Sequence, residues 1–306
     1  LRQVNGENFP STLTTPEAPD THAMIARARE EGVSAIAVEI SAQALNKNRM
    51  DQVVCDVAGF TNLSHDHLED FQTMDNYLEA KAALFTAEKA REAVVCVDTS
   101  WGQKLASKVT IPCTTLGRRG SASAQWSWDI VDVQGESTTF VLESPEGAKG
   151  EIVVPLTGDH MVANAALATV MVIRSGVTWE ELAVLGPGTK GIPVFIPGRM
   201  ERVSGSRGPQ VYVDAGRSAD AYEQTLLALR TSTSGSLIMV CGTSGNRDAT
   251  KRPIMGRTAA EHADVVIITD DDPRREDPTV IREGLLEGAR AVHGVPVHEI
   301  PDPSEA

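Results

Sequence analysis

Short apolar runs alternate with segments of helical periodicity over the first half of the chain. Strands are predicted for four of these runs, at residues 33–39, 57–62, 93–97 and 109–113. Helices are predicted at residues 21–30 and 75–90, with Asp75 as the N-cap of the second. Strands that alternate with helices in this way favour a mostly parallel sheet.

The second half begins with a different pattern and then returns to alternation. Residues 125–155 alternate between apolar and polar and are broken by Gly and Ser, which predicts antiparallel strands added to the first sheet. Helices are predicted next, at residues 161–175 and 179–185. Segment 186–198 has four glycines and three prolines and is the best linker candidate. After it, strands separated by helices predict a small Rossmann-like domain, at residues 210–214, 236–241, 263–269 and 295–299. The fold class is therefore α/β, with domains at 1–190 and 196–306.

Composition narrows the class of protein. The hydrophobic fraction is 41% and the net charge is −14, which argues against a nucleic-acid surface because phosphates are bound by clustered Lys and Arg. No apolar run approaches the ~18 residues of a membrane span, so we expect no membrane insertion. Four scattered cysteines lie mostly in apolar runs and predict reduced core thiols without metal spacing, at Cys55, Cys96, Cys113 and Cys241. These features are typical of a cytoplasmic enzyme.

Segment 62–85, NLSHDHLEDFQTMDNYLEAKAALF, carries the most chemistry. His67 falls on a loop after a predicted strand, where open α/β sheets present their active-site residues. Lys81 lies about one helical turn beyond Tyr77, on a face of alanines. A lysine there can also be an ordinary stem packed on the surface with its ammonium in water. The histidine, acids and lysine have the spacing that a nucleotide-metal site would use.

This segment resembles the central-domain signature of the Mur ligases. In that family the lysine of the motif YxxAK is carbamylated, and YLEAK at residues 77–81 matches it, which implies a carbamate on Lys81. A carbamate is an oxygen ligand suited to Mg²⁺. AIAVEISAQAL at residues 35–45 resembles the family's MEVSSHGL and implies that Glu39 binds the metal together with His67 and Lys81. Taken alone, Glu39 is equally an N-cap or a surface carboxylate.

Two further segments resemble the substrate-binding parts of the family. TLTTPEAPDT at residues 12–21 is similar to the LTTPE loop, whose threonines hold the substrate peptide and correspond to Thr14 and Thr15. The same residues also make an ordinary helix start. SAQALNKNR, beginning at Ser41, places Ser41, Lys47 and Arg49 at substrate-contacting positions, although Lys47 replaces a usual Gln.

Three motifs in the predicted second domain resemble the MurE-type ligases, which add the third amino acid to UDP-N-acetylmuramoyl-L-alanyl-D-glutamate. They are GRMERV, GTSGNRDATKRP and TDDDPRREDP, at residues 198–203, 242–253 and 269–278. The resemblance implies that Arg247 and Arg274 grip carboxylates of the incoming amino acid, and that Arg199 marks the domain junction near ATP. Asp271, Asp272 and Pro273 belong to the same element as Arg274. Each arginine alone is more often a surface ion-pair partner.

Two segments relate to nucleotide binding. TGDHMVANAALA at residues 157–168 resembles the helix GxxNxxNALAA, whose second Asn meets adenine and corresponds to Asn164, while Met161 replaces the first Asn. An Asn at this point is otherwise a capping or surface residue. DAGRSADA at residues 214–221 stands where the family usually reads DYAHTPDA, so that Arg217 replaces the His. Arg217 could still contact a phosphate.

The resemblance implies an ATP-dependent and Mg²⁺-dependent amide ligase with UDP-MurNAc-dipeptide and a free amino acid as its partners. No phosphate-binding loop of the type GTNGKT and no GKGHE element occurs in these 306 residues, so we interpret the chain as an internal fragment. A catalytically inactive relative that binds muramyl peptides, or another amino-acid-adding Mur ligase, remains open. Asp272 stands where diaminopimelate-adding enzymes have Asn, which favours lysine or ornithine. It could instead cap the following helix.

Overall fold

A six-stranded sheet forms the centre of the first domain in the computed structural model, which describes residues 2–205 and 207–306. The strands lie side by side in the order in which they occur in the chain: β3 (Cys55–Phe60), β4 (Ala90–Cys96), β5 (Cys113–Arg118), β6 (Trp126–Gln134), β7 (Ser137–Glu143) and β8 (Lys149–Val154). Strands β3 to β6 are parallel, and β6, β7 and β8 pair antiparallel. The predicted mixed sheet is therefore confirmed.

The remaining elements of the first domain surround this sheet. The chain starts with a hairpin of β1 (Arg2–Val4) and β2 (Glu7–Phe9). The helices are α1 (Ala18–Glu30), α2 (Ala42–Asn46), α3 (Leu68–Phe71), α4 (Met74–Ala82), α5 (Ser100–Ala106), α6 (Asp159–Arg174) and α7 (Trp179–Leu182), followed by a 3-10 turn at Ala183–Leu185. Val94 and Val95 on β4 belong to different hydrophobic clusters and are both fully buried. Successive strand residues face opposite sides, so helices cover the sheet on both faces.

The second domain has a smaller parallel sheet with helices, but only three of the four predicted strands belong to it, because the one expected at 210–214 lies in a separate antiparallel pair. A short antiparallel pair, β9 (Glu201–Arg202) and β10 (Tyr212–Val213), precedes it. Its elements are α8 (Ala219–Arg230), β11 (Ile238–Cys241), α9 (Lys251–His262), β12 (Val265–Ile268), α10 (Pro278–Arg290) and β13 (Val297–Glu299). Strands β11, β12 and β13 pair in parallel. No helix in the described part of the chain is long and apolar enough to cross a membrane.

Helices α9 and α10 approach each other closely because glycines lie at their contact. A Cβ placed on Gly288 would lie 1.7 Å from the carbonyl oxygen of Pro253, and one on Gly256 would lie 1.9 Å from that of Leu285. Both partners are backbone atoms, which cannot rotate away. All four cysteines are free thiols; Cys96 and Cys241 are buried, and the other two are half-buried.

One predicted strand is wrong. Residues 33–40 have no assigned secondary structure, and Ile36 and Val38 are 52% and 40% exposed. A strand needs a hydrogen-bonded neighbour, and none of the described residues pairs with this segment. The segment instead lines a cavity of about 600 Å³ together with β1 and α1.

Several predicted boundaries also differ, most clearly around α4 and β5. The helix expected over 75–90 is α4, which ends at Ala82, and β4 already begins at Ala90. Its N-cap is Thr73 rather than Asp75, because the Thr73 hydroxyl accepts the Asn76 N–H at 3.1 Å. The strand expected at 109–113 is β5, which starts at Cys113, directly after a proline that has no N–H for the ladder.

Candidate active site at the junction of the two domains

The loop from β3 to α3 carries His67. Asn62 starts the loop, and its side-chain carbonyl accepts the N–H of Leu63 at 2.7 Å. His67 has φ 59°, in the left-handed region, and is the N-cap residue of α3. This conformation costs a non-glycine residue roughly 1–2 kcal/mol, so neighbouring contacts must hold it in place.

The ring of Tyr77 on α4 lies close to the side chains of both His67 and Lys81. The ring centroids of His67 and Tyr77 are 5.8 Å apart in an edge-on arrangement, and Lys81 Nζ lies 5.1 Å from the Tyr77 centroid. Burial lowers the pKa of Lys81, and the negative charge of Glu39 opposes this effect. Burial, with the charges of Asp66 and Glu69, raises the pKa of Tyr77 to about 12. The structure thus brings Glu39, His67 and Lys81 into one neighbourhood beside a neutral phenol.

His67 and the first turn of α3 also offer ligands for a divalent cation. Ligand atoms of His67, Glu69 and Asp70 all lie within 4.8 Å of one another. His67 Nδ1 is buried and has no hydrogen-bond partner among the described residues. Carboxylate oxygens fit a hard divalent cation such as Mg²⁺, whereas an imidazole nitrogen is a ligand more typical of transition metals. Sequence reasoning did not single out Glu69 and Asp70. Their positions, two and three residues after His67, were the feature of the sequence that could have indicated them.

Thr15 connects the loop at residues 12–17 to the segment that carries Glu39. The buried Thr15 hydroxyl donates to the Glu39 carbonyl at 2.8 Å and accepts the Ser41 N–H at 3.0 Å. The Ser41 hydroxyl caps α2 by accepting the Ala44 N–H at 3.2 Å. Thr14 is exposed. Thr15 and Ser41 therefore hold the backbone around Glu39, while the side chain of Thr14 reaches solvent.

Arg49 binds the same loop, residues 12–17, through two contacts. It is 8% exposed, pairs with Glu17 at 2.7 Å and donates to the Thr15 carbonyl at 3.4 Å. Lys47, two residues earlier, is exposed. The guanidinium of Arg49 is thus already paired within the protein, whereas the ammonium of Lys47 is open to a ligand.

The start of α9 in the second domain meets the loop that carries His67. Three side-chain pairs join them: His65–Asp248 at 3.0 Å, Asp66–Lys251 at 2.7 Å and Glu69–Arg247 at 3.4 Å. Burial raises the pKa of Asp248, but hydrogen bonds from Thr250 and His65 outweigh it, so that this pKa lies below its ordinary value. Sequence reasoning singled out only Arg247 in this group.

The loop after β12 holds residues 271–274. Arg274 has φ 53°, and its N–H and Nε contact the Asp272 carboxylate at 3.2 and 3.4 Å. Asp271 accepts a hydrogen bond from the Ser244 hydroxyl at 3.3 Å. The alternative that Asp272 caps the next helix is wrong, because Asp277 is the N-cap of α10. A Cβ on Gly245 would lie 2.1 Å from the carbonyl oxygen of Pro273, so the two loops touch through backbone.

A buried ion pair supports these two loops, and sequence reasoning missed it. Arg252 is 3% exposed, and its two terminal nitrogens donate to Glu276 at 2.6 and 2.8 Å. Glu276 also accepts the Asn246 N–H at 2.8 Å. The bidentate pair thereby joins α9, the loop before it and the loop that carries Arg274.

The three residues predicted to bind nucleotide lie on exposed positions. Asn164 is exposed on α6, Arg199 is exposed before β9, and Arg217 is exposed before α8, with its carbonyl accepting a hydrogen bond from Lys251 at 2.8 Å. Burial lowers the pKa of His160 near the start of α6, while the charge of Asp214 raises it and that of Arg199 lowers it. The charge of Arg199 thus acts at the start of α6, and its placement at the domain junction near ATP stays a prediction.

Two protein-family models match this chain, one in each of its two domains. The Mur ligase middle domain matches residues 2–172, and the Mur ligase glutamate ligase domain matches residues 198–306. A UDP-N-acetylmuramyl-tripeptide synthetase of Leifsonia xyli subsp. xyli is 48% identical over 100% of this chain and 60% of the relative. A UDP-N-acetylmuramoyl-L-alanyl-D-glutamate--2,6-diaminopimelate ligase of Streptomyces coelicolor is 40% identical over 97% of this chain and 57% of the relative.

A solved structure agrees with these relatives. The structure of a UDP-N-acetylmuramoyl-L-alanyl-D-glutamate--2,6-diaminopimelate ligase has a TM-score of 0.60 and 28% identity, and the match covers 95% of this chain and 59% of that one. The chain thus spans about 60% of the length of the curated relatives it matches. With both domain matches, the 48% identical relative and the shared fold, the chain belongs to the Mur ligase family.

Proposed function

We propose that this chain forms the ATP-binding and amino-acid-binding parts of a ligase that adds the third amino acid to UDP-N-acetylmuramoyl-L-alanyl-D-glutamate. The observation that carries the proposal is the meeting of the His67 loop with the start of α9, which brings motifs of both domains to one junction. Substrate sites of α/β proteins lie at such strand ends. Because its substrates include ATP and a nucleotide-activated sugar, we place the reaction in the cytoplasm.

His67, Glu39 and Lys81 would hold Mg²⁺. A Mg²⁺ ion held by these residues would supply positive charge to offset the negative charge that develops during phosphoryl transfer. Lys81 would serve as a carbamate, since burial already favours its neutral amine, the form that reacts with CO₂. Glu69 and Asp70 lie close enough to His67 to join or orient this set.

The proposed nucleotide contacts come from three elements. Asn164 on α6 would meet adenine, while Arg199 and Arg217 would contact phosphates. The two arginines are exposed and free to turn toward a ligand. Arg217 stands on a loop whose backbone is held by Lys251 at 2.8 Å, so its direction depends on the docking of α9. The guanidinium offers several donors in a planar fork that suits phosphate oxygens.

The dipeptide substrate would lie along the 12–17 loop. Thr14 and Lys47 present exposed polar atoms, and Thr15, Ser41 and Arg49 hold the backbone beneath them. The D-glutamyl carboxylate would be phosphorylated, and the amine of the amino acid would then attack the acyl phosphate with loss of phosphate. These residues contribute by placing the carboxylate, because positioning accounts for much of such catalysis.

Arg247, Arg274 and the residues beside them would select the amino acid. Asp272 lies 3.4 Å from Arg274 and adds a negative charge where a second carboxylate of diaminopimelate would have to approach. Asp271 and Pro273 shape the same loop through Ser244 and Gly245. This pairing favours lysine or ornithine, whose side chains end in an ammonium, over meso-diaminopimelate.

The test is a chimera that joins this chain to the flanking segments of the Leifsonia xyli relative. We expect ATP-dependent and Mg²⁺-dependent ligation, with kcat/KM about tenfold higher for lysine or ornithine than for meso-diaminopimelate, a difference of 1.4 kcal/mol. Asp272→Asn should lower the ratio of kcat/KM for lysine or ornithine to that for meso-diaminopimelate. Asp277→Asn, at the N-cap of α10, is the control and should leave this ratio unchanged. A preference for meso-diaminopimelate would refute the amino-acid assignment.

The same chimera tests the two alternatives. Binding of UDP-MurNAc-dipeptide without turnover would support an inactive binding protein, which the replacement of the usual His by Arg217 favours. Turnover with a different muramyl substrate would support another amino-acid-adding Mur ligase.

A further inference from the structure

Three side chains of the other domain contact the loop that carries His67 and the start of α3. His67 N–H donates to Asp66 Oδ1 at 2.9 Å, and the same oxygen accepts Lys251 Nζ at 2.7 Å. A single carboxylate oxygen therefore links the backbone of His67 to an ammonium on α9. Since His67 adopts a left-handed conformation, this link acts where the loop most needs support.

Lys251 is 5% exposed and has a second acceptor, the carbonyl of Arg217, at 2.8 Å. A buried ammonium is stable only when its donors are satisfied, so Lys251 has little freedom to leave Asp66. It joins three segments: the His67 loop, the loop before α8, and α9 itself. Movement of α9 away from the first domain would break the bond to Asp66.

Asp248 makes a parallel link one turn earlier. It is 7% exposed, its Oδ2 lies 3.0 Å from His65 Nε2, and its Oδ1 accepts the Thr250 N–H at 2.9 Å. The bond to Thr250 fixes the carboxylate at the start of α9, so His65 meets a rigid partner. His65 and Asp66 directly precede His67, and the side chains of both contact the second domain.

We propose that Lys251 and Asp248 are positioning residues that hold the His67 loop, so that His67 reaches its place in the site only when the two domains dock as they do here. This inference rests on the proposed function for the role of His67 but not for the coupling itself. Opening of the two domains would release the loop, and closure would restore it.

Hydrogen–deuterium exchange of the 306-residue chain tests the coupling. The amides of His67, Asp70, Phe71 and Gln72 are all hydrogen-bonded in the structure and lie in one peptide, residues 66–72. Lys251→Met and Asp248→Asn should each speed exchange in this peptide about tenfold relative to the wild type. The matched control is Arg257→Met, an exposed position on α9, and the β6–β7 hairpin should stay unchanged in all variants.

The variant His65→Ala separates loss of the contact from misfolding of the second domain. The His65 side chain is 37% exposed and belongs to the first domain, so the change removes the Asp248 contact without altering the core of the second domain. Unchanged protection of residues 66–72 in His65→Ala and in folded Lys251→Met would overturn the proposal.

A kinetic measurement separates this inference from the proposed function. In the chimera, Lys251→Met should raise the Mg²⁺ concentration for half-maximal rate about tenfold, and Arg257→Met should leave it unchanged. Accelerated exchange with an unaltered Mg²⁺ requirement would support the coupling and refute the metal role of His67. A raised requirement without accelerated exchange would refute the coupling.

Discussion

Replacing Glu276 by Gln should destabilise the second domain selectively. In the wild type, Arg252 donates to both Glu276 oxygens at 2.6 and 2.8 Å, and Asn246 N–H donates to one of them at 2.8 Å. Gln keeps one oxygen and turns an NH₂ group toward a donor. Arg252 then loses one charge-assisted hydrogen bond, although its guanidinium remains buried. Such a bond is worth about 1.5–3 kcal/mol.

The size of the effect follows from the burial of the pair. Removing one partner of a fully buried pair costs about 3–5 kcal/mol. The Arg252 side chain is 4% exposed but that of Glu276 is 23% exposed, so water can partly replace the lost partner. We therefore expect the free energy of unfolding to fall by about 2–3 kcal/mol. This is close to the value of one hydrogen bond to a charged group and below the cost of breaking a fully buried pair.

Urea unfolding with two probes measures this change. All four tryptophans precede the linker, at Trp101, Trp126, Trp128 and Trp179, so their fluorescence reports the first domain. Far-UV circular dichroism reports both domains. With a slope of about 1–3 kcal/mol per M urea, the circular dichroism midpoint of the second domain should fall by about 0.7–3 M. Glu283→Gln, at an exposed position on α10, should change the free energy by less than about 0.5 kcal/mol.

The pH dependence gives an independent check. The Arg252 hydrogen bond holds the pKa of Glu276 below its ordinary value, although burial opposes it. A depressed pKa stabilises the folded state above the unfolded pKa of about 4.3 and ceases to do so as pH falls through the folded value. The stability gap between wild type and Glu276→Gln should therefore narrow below about pH 4. A gap that is constant with pH, or a midpoint equal to that of Glu283→Gln, would refute the reasoning.

Three other outcomes are expected. The purified 306-residue chain should show no Mg²⁺-dependent ATP turnover above a His67→Ala control, because its sequence contains no phosphate-binding loop; measurable turnover would contradict this. In the chimera, Lys81→Ala should abolish ligation, with partial rescue by short carboxylates, and near wild-type rates would exclude the carbamate. Gly288→Ala should lower stability by about 1–3 kcal/mol, because its Cβ would overlap the Pro253 carbonyl, whereas Gly235→Ala, with no atom within 4 Å, should be close to neutral in thermal unfolding.

Local patterns in the sequence were sufficient for much of the fold. The antiparallel strands β6 to β8 and the Rossmann-like order after the linker follow from alternation and turn residues, which act over a few neighbouring positions. The segment 33–39 shows the limit of this approach. Its apolar pattern is that of a strand, but strand formation depends on a partner that the pattern does not specify.

The sequence by itself contains the family motifs, and from them His67, Lys81 and Arg247 are predicted as site residues. Only the tertiary structure decided which residues support them. Asp66 and Lys251 are 185 positions apart, and His65 and Asp248 are 183 apart. Their pairing follows from the docking of two domains, whose contacts depend on the shape and burial of both surfaces. Local propensity and spacing contain no information about such a contact, because it exists only after each domain has folded.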